Sequence, residues 1–177
     1  YKRIIELSSK SYLENTTLAE PHLDISELLI KTDGVLLFSG TINGLFGKLF
    51  GKGRFEEIEQ FYNKLYKKYN DRFYLEIQRH NDQNEISFEK FNLKQSHKIQ
   101  IPIIATSEVF YLNSSMHEAH DALTCIGTKS YVNDKNRIKY SNQHYLKSTE
   151  EMSKIFSDLP EALELSLIHI SEPTRQA

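Results

Sequence analysis

Apolar side chains recur at three- and four-residue spacing over residues 54–69, and this pattern predicts the clearest helix of the chain. Glutamates stand early in this segment and lysines late, which complements the helix dipole. The apolar stripe consists of Phe55, Ile58, Phe61, Tyr62, Leu65 and Tyr69. Further helices are predicted over residues 1–14, 25–31, 85–98 and 115–126.

The spacing of Ser148 and Glu151 is that of a capping box, in which each residue caps the backbone of the other. It predicts the start of a last helix, which runs to Pro160.

Short apolar runs between these helices predict strands. Residues 35–39 form a continuous run, which is typical of a strand covered on both faces. Residues 72–78, 101–106 and 144–147 predict three more strands. Because the strands alternate with helices of crossover length, the pattern favours an α/β layout with parallel strands.

The glycine-rich segment 40–53 does not fit a phosphate-binding loop. Such a loop needs Gly, four residues, then Gly-Lys and a hydroxyl residue. The positions that would complete this motif carry Ile42, Phe46, Leu49 and Gly53. We therefore interpret these glycines as turn and helix-end residues.

Few residues of the chain suggest chemistry by themselves. Residues 117–120 read HEAH, one residue short of the zinc motif HExxH, so that its Glu would not face a metal-bound water. Helix-capping and surface roles are favoured for these residues. Cys125 lies in an apolar helical segment and is predicted to be a small core residue. Arg79 and His80 follow a predicted strand, and a solvated strand end is the expectation there.

Composition excludes several classes of protein. The chain has 177 residues, a net charge of −2 and one cysteine. It therefore lacks the basic field of a nucleic-acid binder, and it cannot form an internal disulfide framework. No apolar run in the sequence is long enough for a membrane span, and a cytoplasmic location is expected. Because position 1 is Tyr, the chain is predicted to be a fragment or a processed product.

The last thirteen residues, 165–177, differ in character from the rest. They read LSLIHISEPTRQA, and their first eleven residues resemble the conceptual translation of a transposase-type sequencing adapter. This segment is therefore predicted to be an artefact rather than part of the natural protein.

Six stretches, in order and at matching spacing, resemble the N-terminal PHP (polymerase and histidinol phosphatase) domain of the bacterial DNA polymerase III alpha-subunit family. The resemblance covers residues 1–164. The stretches are VLLFSG (35–40), DRFYLEIQRH (71–80), IPIIATSEVFYL (101–112), AHDALTCIGT (119–128), NRIKYSNQHYLKSTEEM (136–152) and FSDLPEAL (156–163).

This resemblance implies an α/β fold that forms part of a distorted (β/α)7 PHP barrel and lacks its first strands. In metal-binding members of the family, three late ligand positions carry Cys, Asp and His. The matching residues here are Thr41, Glu108 and Phe110, so only a carboxylate is kept. A degenerate metal site is therefore predicted, with Phe110 and Tyr111 packed where metal ions would lie.

The resemblance also implies a function for the parent protein: DNA-directed DNA polymerase activity in chromosomal replication, with magnesium at aspartates outside this chain. The segment itself is expected to be structural, to support the polymerase body and to dock a proofreading exonuclease subunit. Other replicase subunits, and DNA bound through the polymerase domains, are expected partners, and no membrane is involved. The alternative is an active PHP phosphoesterase or 3′–5′ exonuclease, which would bind zinc or manganese.

Overall fold

The computed structural model describes residues 2–14, 21–30 and 32–164. The predicted adapter segment, 165–177, lies outside the described residues. Six helices are formed: α1 (Lys2–Leu13), α2 (Leu45–Gly51), α3 (Phe55–Tyr69), α4 (Gln83–Ile99), α5 (His117–Thr128) and α6 (Thr149–Ile155). The strands are β1 (Leu37–Phe38), β2 (Phe73–Ile77) and β3 (Ile103–Ala105). Short 3-10 turns occupy Ile25–Leu29, Asn70–Arg72 and Ser114–Met116. Residues 160–164 are helical as well.

The three strands form a small parallel sheet in the order β1-β2-β3. Leu37 pairs with Phe73, and Leu75 pairs with Ile103. Helices α2 and α3 lie between β1 and β2 in the chain, and α4 lies between β2 and β3. The predicted α/β layout with parallel strands is therefore confirmed. The described sheet has three strands, and closure into a barrel stays a prediction.

The first strand differs from its prediction. Residues 35–39 were expected to be covered on both faces, but Leu36 and Phe38 are 40% and 39% exposed. β1 is an edge strand only two residues long, whereas every residue of β3 is buried. Apolar sequence alone does not distinguish an edge strand from a central one, because exposure depends on which neighbours lie against it.

The predicted strand at 144–147 is also wrong. The structure has one isolated parallel bridge there, between Tyr111 and Tyr145. Phe110 donates its backbone N–H to the His144 carbonyl (2.9 Å), and Leu146 donates to the Tyr111 carbonyl (2.9 Å). These bonds hold the loop that follows β3 against the segment that precedes α6.

The core lies between the sheet and α2, α3 and α4. The stripe predicted for α3 is largely confirmed, since four of its six residues are buried. Tyr62 lies inside this core, and its hydroxyl donates to Asn92 Oδ1 on α4 (3.0 Å). Burial raises the pKa of Tyr62, because ionisation would place a charge among apolar side chains. The buried members of the stripe are Ile58, Tyr62, Leu65 and Tyr69.

Helix α2 was not predicted from the sequence, because two glycines interrupt its pattern. Gly47 is nevertheless required there, since a Cβ at this position would lie 2.0 Å from the Ile42 carbonyl oxygen. The glycine lets α2 pack closely against the loop that follows β1. At the other end of the chain, the predicted capping box is confirmed, with Ser148 and Glu151 hydrogen-bonded to each other's backbone.

No helix in the described ranges has both the length and the apolar character needed to cross a membrane.

Candidate functional site

A cavity of about 480 Å³ opens beside the segments that leave the carboxyl ends of β2 and β3. Parallel sheets place loop residues together at this edge, which is where α/β proteins bind ligands. Two histidines and two glutamates line the cavity: His80, Glu85, Glu108 and His144. His80 and Glu108 follow β2 and β3 closely, whereas Glu85 lies in α4 and His144 in the segment before α6.

His80 is fixed in one tautomer by its neighbours. It is 2% exposed, and its Nε2 accepts the backbone N–H of Glu108 at 3.2 Å. Because a backbone N–H can only donate, the ring proton lies on Nδ1, which donates to Glu85 Oε1 at 2.8 Å. The other oxygen of Glu85 accepts the backbone N–H of His80 at 2.6 Å. Both ring nitrogens of His80 are therefore occupied by protein contacts.

These hydrogen bonds also set the charge of Glu85. Burial opposes its ionisation, but the ring and backbone N–H groups of His80 outweigh this effect and hold the pKa of Glu85 below its usual value. Glu85 is therefore a carboxylate at neutral pH, paired with a neutral imidazole.

His144 lies flat against His80, with ring centroids 4.1 Å apart and planes 4° from parallel. Its Nδ1 donates to the Glu108 carbonyl at 3.3 Å. Burial, together with the neighbouring His80, lowers the pKa of His144 to about 4. The Glu108 carboxylate lies 3.8 Å from Nδ1, which is close enough for an ion pair. The lowered pKa keeps His144 neutral, so this contact is not an ion pair near pH 7.

A second hydrogen-bond network joins the three strands just below the cavity. Ser39 Oγ accepts the backbone N–H of Glu76 on β2 at 2.9 Å. The Glu76 carboxylate accepts the hydroxyl of Thr106 at 2.5 Å, and Gln78 donates to the same hydroxyl at 2.9 Å. The polar side chains at this edge of the sheet therefore hold the strands together.

One of the three predicted ligand positions lines the cavity. Glu108 lines the cavity with its side chain about half exposed, whereas Thr41 and Phe110 are absent from the lining. Phe110 stacks on His120 and His144, at centroid distances of 5.2 and 4.9 Å. The ring of Phe110 thus packs against His144 of the histidine pair.

The expectation of a solvated strand end at Arg79 and His80 is wrong. His80 is buried, and Arg79 forms two-pronged ion pairs with Glu89 of α4 and with Asp158 beyond α6. Its guanidinium also lies 4.7 Å from the ring centre of Phe156. Arg79 therefore ties the end of β2 to two helices.

The residues of the HEAH segment are not all at the surface either. His117 Nε2 donates to the Tyr140 carbonyl at 3.1 Å, and His120 stacks on Phe110. Both side chains are half-buried, whereas Glu118 and Ala119 are exposed. Cys125 is buried, as predicted for a core residue.

The donor set at the cavity does not fit a multinuclear metal centre. In the part of the chain that the structure describes, no group of three or more His, Cys, Asp and Glu residues is arranged to hold a metal ion. Both ring nitrogens of His80 are occupied, and Phe110 offers no lone pair. Of the two glutamates that line the cavity, Glu85 binds His80 with both oxygens, and Glu108 is half-exposed.

Comparison with known proteins shows similarity along almost the whole chain. Residues 1–80 match the model of the PHP domain. The chain is 32% identical over 167 residues to the DNA polymerase III subunit alpha of Caulobacter vibrioides, a match that covers 94% of this chain. It is 35% identical over 173 residues to the protein of the same name from Borreliella burgdorferi, covering 97% of this chain. The chain belongs to the DNA polymerase III alpha-subunit family.

The region spans about 15% of the length of these two alpha subunits. A third relative, the alpha subunit of Vibrio cholerae, is 32% identical over 164 residues, which are 92% of this chain and 14% of that protein. The predicted family is thus confirmed.

Sequence reasoning did not identify the buried residues that line the cavity. His80 directly follows an apolar strand, and Glu85 stands five residues later near the start of a helix. Their short separation in the sequence could have indicated that the two side chains pair. No local pattern in the sequence points to His144, because it reaches His80 only through the folding of the segment before α6.

Proposed function

We propose that this chain is part of a replicative DNA polymerase III alpha subunit, in which it forms a structural portion of the PHP domain. The similarity to curated alpha subunits over more than nine-tenths of the chain carries this proposal. On this proposal, residues 1–164 belong to the PHP domain and contribute strands to a distorted (β/α)7 barrel.

The strand-end site supports a structural role. Its histidines bind backbone groups, a carboxylate and each other's rings, which joins the loops after β2 and β3 to the segment before α6. Such contacts stabilise a loop arrangement that metal ions hold in metal-binding PHP domains. The polymerase chemistry and its magnesium would belong to domains outside this chain.

The parent protein would extend DNA primers, and its PHP domain would support the polymerase body and dock a proofreading exonuclease subunit. These activities and partners follow from the family and not from any residue described above. The rival function, a metal-dependent phosphoesterase, requires ligands that Thr41 and Phe110 do not supply.

A chimeric alpha subunit tests the proposal. In it, residues 2–164 of this chain replace the aligned segment of the Caulobacter vibrioides protein. We expect primer extension within about threefold of the parent enzyme, since few polymerase contacts change, and we expect the chimera to bind the proofreading exonuclease. A Glu108→Ala chimera should retain both properties. A folded chimera that cannot extend primers, or that does not bind the exonuclease, would contradict the corresponding part of the proposal.

A further inference from the structure

His144 has one ring nitrogen that no described protein group uses. Its Nδ1 lies 3.3 Å from the Glu108 carbonyl, and because a carbonyl only accepts, the ring proton lies on Nδ1. Nε2 therefore carries a lone pair, and it accepts no hydrogen bond from any residue that the structure describes. The neutral ring thus offers one unused acceptor atom.

This nitrogen opens into the cavity at the strand ends. His144 is 7% exposed, and it lines the cavity of about 480 Å³. Within the described ranges, the one side-chain atom that is fully enclosed and lacks a partner is Gln95 Oε1, so His144 Nε2 is not sealed inside the protein. A polar atom of a side chain that is more than nine-tenths buried, open to a cavity, is a preformed acceptor for a ligand.

The rest of the lining gives the cavity a negative charge. Three acidic residues and one lysine line it: Asp82, Glu85, Glu108 and Lys139. Lys139 also acts on a carboxylate outside the lining, because its charge adds to the hydrogen bonds from Arg137 that hold the pKa of Asp121 below its usual value. A cleft lined mainly by one sign of charge concentrates ions of the opposite sign and disfavours phosphate and other anions.

An organic cation fits this lining better than a metal ion does. Among the described residues, no group of three His, Cys, Asp and Glu side chains is arranged to hold a metal. A primary ammonium needs only hydrogen-bond acceptors, and it brings three N–H donors to them. Its carbon chain finds apolar surface at Ile42 and at the ring of Tyr140, which line the same cavity.

We propose that the cavity binds a primary ammonium group on an aliphatic chain, with His144 Nε2 as its acceptor and the Glu108 carboxylate as its counter-charge. Two sources have this chemistry: a lysine side chain elsewhere in a longer alpha subunit, and a free alkylamine. The inference does not rest on the proposed replicative function, because it uses only side chains that line the cavity.

Nitrogen-15 NMR of the histidine rings in the full chain tests the proposal without any substitution. Butylamine is the probe, and 1-butanol is its uncharged control of the same shape. Butylamine near pH 7 should move the His144 Nε2 signal, because this nitrogen would then accept a hydrogen bond. Saturation should need at least about tenfold less butylamine than 1-butanol, since hydrogen bonds to charged groups are stronger than neutral ones. Equal responses to the two compounds, or an equal response to butyrate, overturn the proposal.

Glu108→Gln removes the counter-charge and keeps the size of the side chain. Its affinity for butylamine should fall about threefold, as expected for a half-exposed ion pair. Glu118→Gln is the matched control, because Glu118 is exposed on α5 and does not line the cavity, and its affinity should not change. Equal affinities of Glu108→Gln and the parent chain would contradict the assigned counter-charge. Circular dichroism checks the fold of each variant, and the comparison of butylamine with 1-butanol in the parent chain stands independently of both.

Carbodiimide coupling in the chimeric alpha subunit identifies the source of the ammonium. The reagent activates a carboxylate, an amine nitrogen attacks the carboxyl carbon to form an amide, and the reagent leaves as a urea. A cross-link from Glu108 to a lysine outside residues 2–164 identifies the surrounding protein as the source. A butylamide at Glu108, formed only when butylamine is added, identifies a free amine. Coupling of Glu108 to Lys139 would show that the chain fills its own cavity, and it overturns the proposal.

Discussion

The pair of stacked histidines shows how burial determines protonation at single residues. The ring centroids of His80 and His144 lie 4.1 Å apart, and burial lowers the pKa of His144. His80 uses its one proton to bind Glu85, and His144 uses its proton to bind a backbone carbonyl. Both rings therefore serve the structure in their neutral form.

The stability of the chain should therefore depend on the protonation of His144. Its pKa is about 4 in the folded chain, below the usual 6.5, so the unfolded chain binds one more proton between these values. The contribution of His144 is complete above pH 6.5 and is lost as the pH falls toward 4. Urea titrations from pH 7 to 4.5 should show falling stability, with a shallower fall in His144→Asn.

The exposed His97 of α4 provides the control for this measurement. His97→Asn should leave the pH dependence of the parent chain unchanged. Equal pH dependence in His144→Asn and the parent chain would show that His144 is not held neutral by folding.

Two glycines of α2 should respond in opposite ways to the same substitution. Gly47→Ala places a methyl group 2.0 Å from the Ile42 carbonyl oxygen, so we expect a loss of about 2 kcal/mol or more in the free energy of unfolding. Gly51→Ala meets no atom within 4 Å and should be neutral or stabilise by roughly 0.5–1 kcal/mol. Chemical denaturation midpoints measure both, and equal effects would contradict the close packing of α2.

At the scale of elements, Arg79 connects the end of β2 to helices α4 and α6. Its side chain binds Glu89 of α4, the backbone carbonyl of Ile155 at the end of α6, and Asp158. One residue therefore positions the C-terminal helices relative to the sheet.

Replacing this residue should release α6 preferentially. In Arg79→Met, Glu89 keeps a mostly buried carboxylate without its cation, and we expect a loss of about 2–3 kcal/mol. Hydrogen exchange should increase more in α6 than in α3. Arg54→Met is the control, because Arg54 forms only an exposed pair with Glu57 and should change stability by less than about 0.5 kcal/mol. Uniform loss of protection in both helices would contradict a local role for Arg79.

The elements that the sequence predicted well are those whose pattern is local. The stripe of α3 and the capping box of α6 both lie within one helix, and both were found by spacing. Helix α2 was missed because Gly47 serves a contact with Ile42 that only the folded chain contains. The burial of His80 was missed for the same reason, since its ring meets the backbone of Glu108, 28 residues later.

At the scale of the whole molecule, the family was recognised from six ordered stretches. The arrangement of side chains around the cavity was not predicted. Of the three family ligand positions, Thr41, Glu108 and Phe110, Glu108 lines the cavity, and one degenerate site formed by all three stays a prediction. Sequence alignment can assign a residue to a family position, but it does not show how side chains rearrange after the original ligands have been replaced.

Metal binding gives a test of the whole domain. After incubation with Mn²⁺ or Zn²⁺ and dialysis, we expect substoichiometric metal by mass spectrometry, because both ring nitrogens of His80 are occupied and Phe110 supplies no ligand. Hydrolysis of a chromogenic phosphodiester should stay at background and should be the same in Glu108→Ala. Two or three metal ions per chain, with hydrolysis that depends on Glu108, would establish the phosphoesterase alternative.

The parallel sheet has a consequence for how the chain folds during synthesis. Leu75 pairs with Ile103, a residue translated 28 positions later. At about 5–20 residues per second, a ribosome takes roughly 1–6 s to add the partner strand. During this interval the apolar β2 has an open edge, while α3 has already been translated and can cover one of its faces. Nascent alpha subunits with this topology should therefore need early helix docking, or a chaperone, to keep β2 from pairing with other chains.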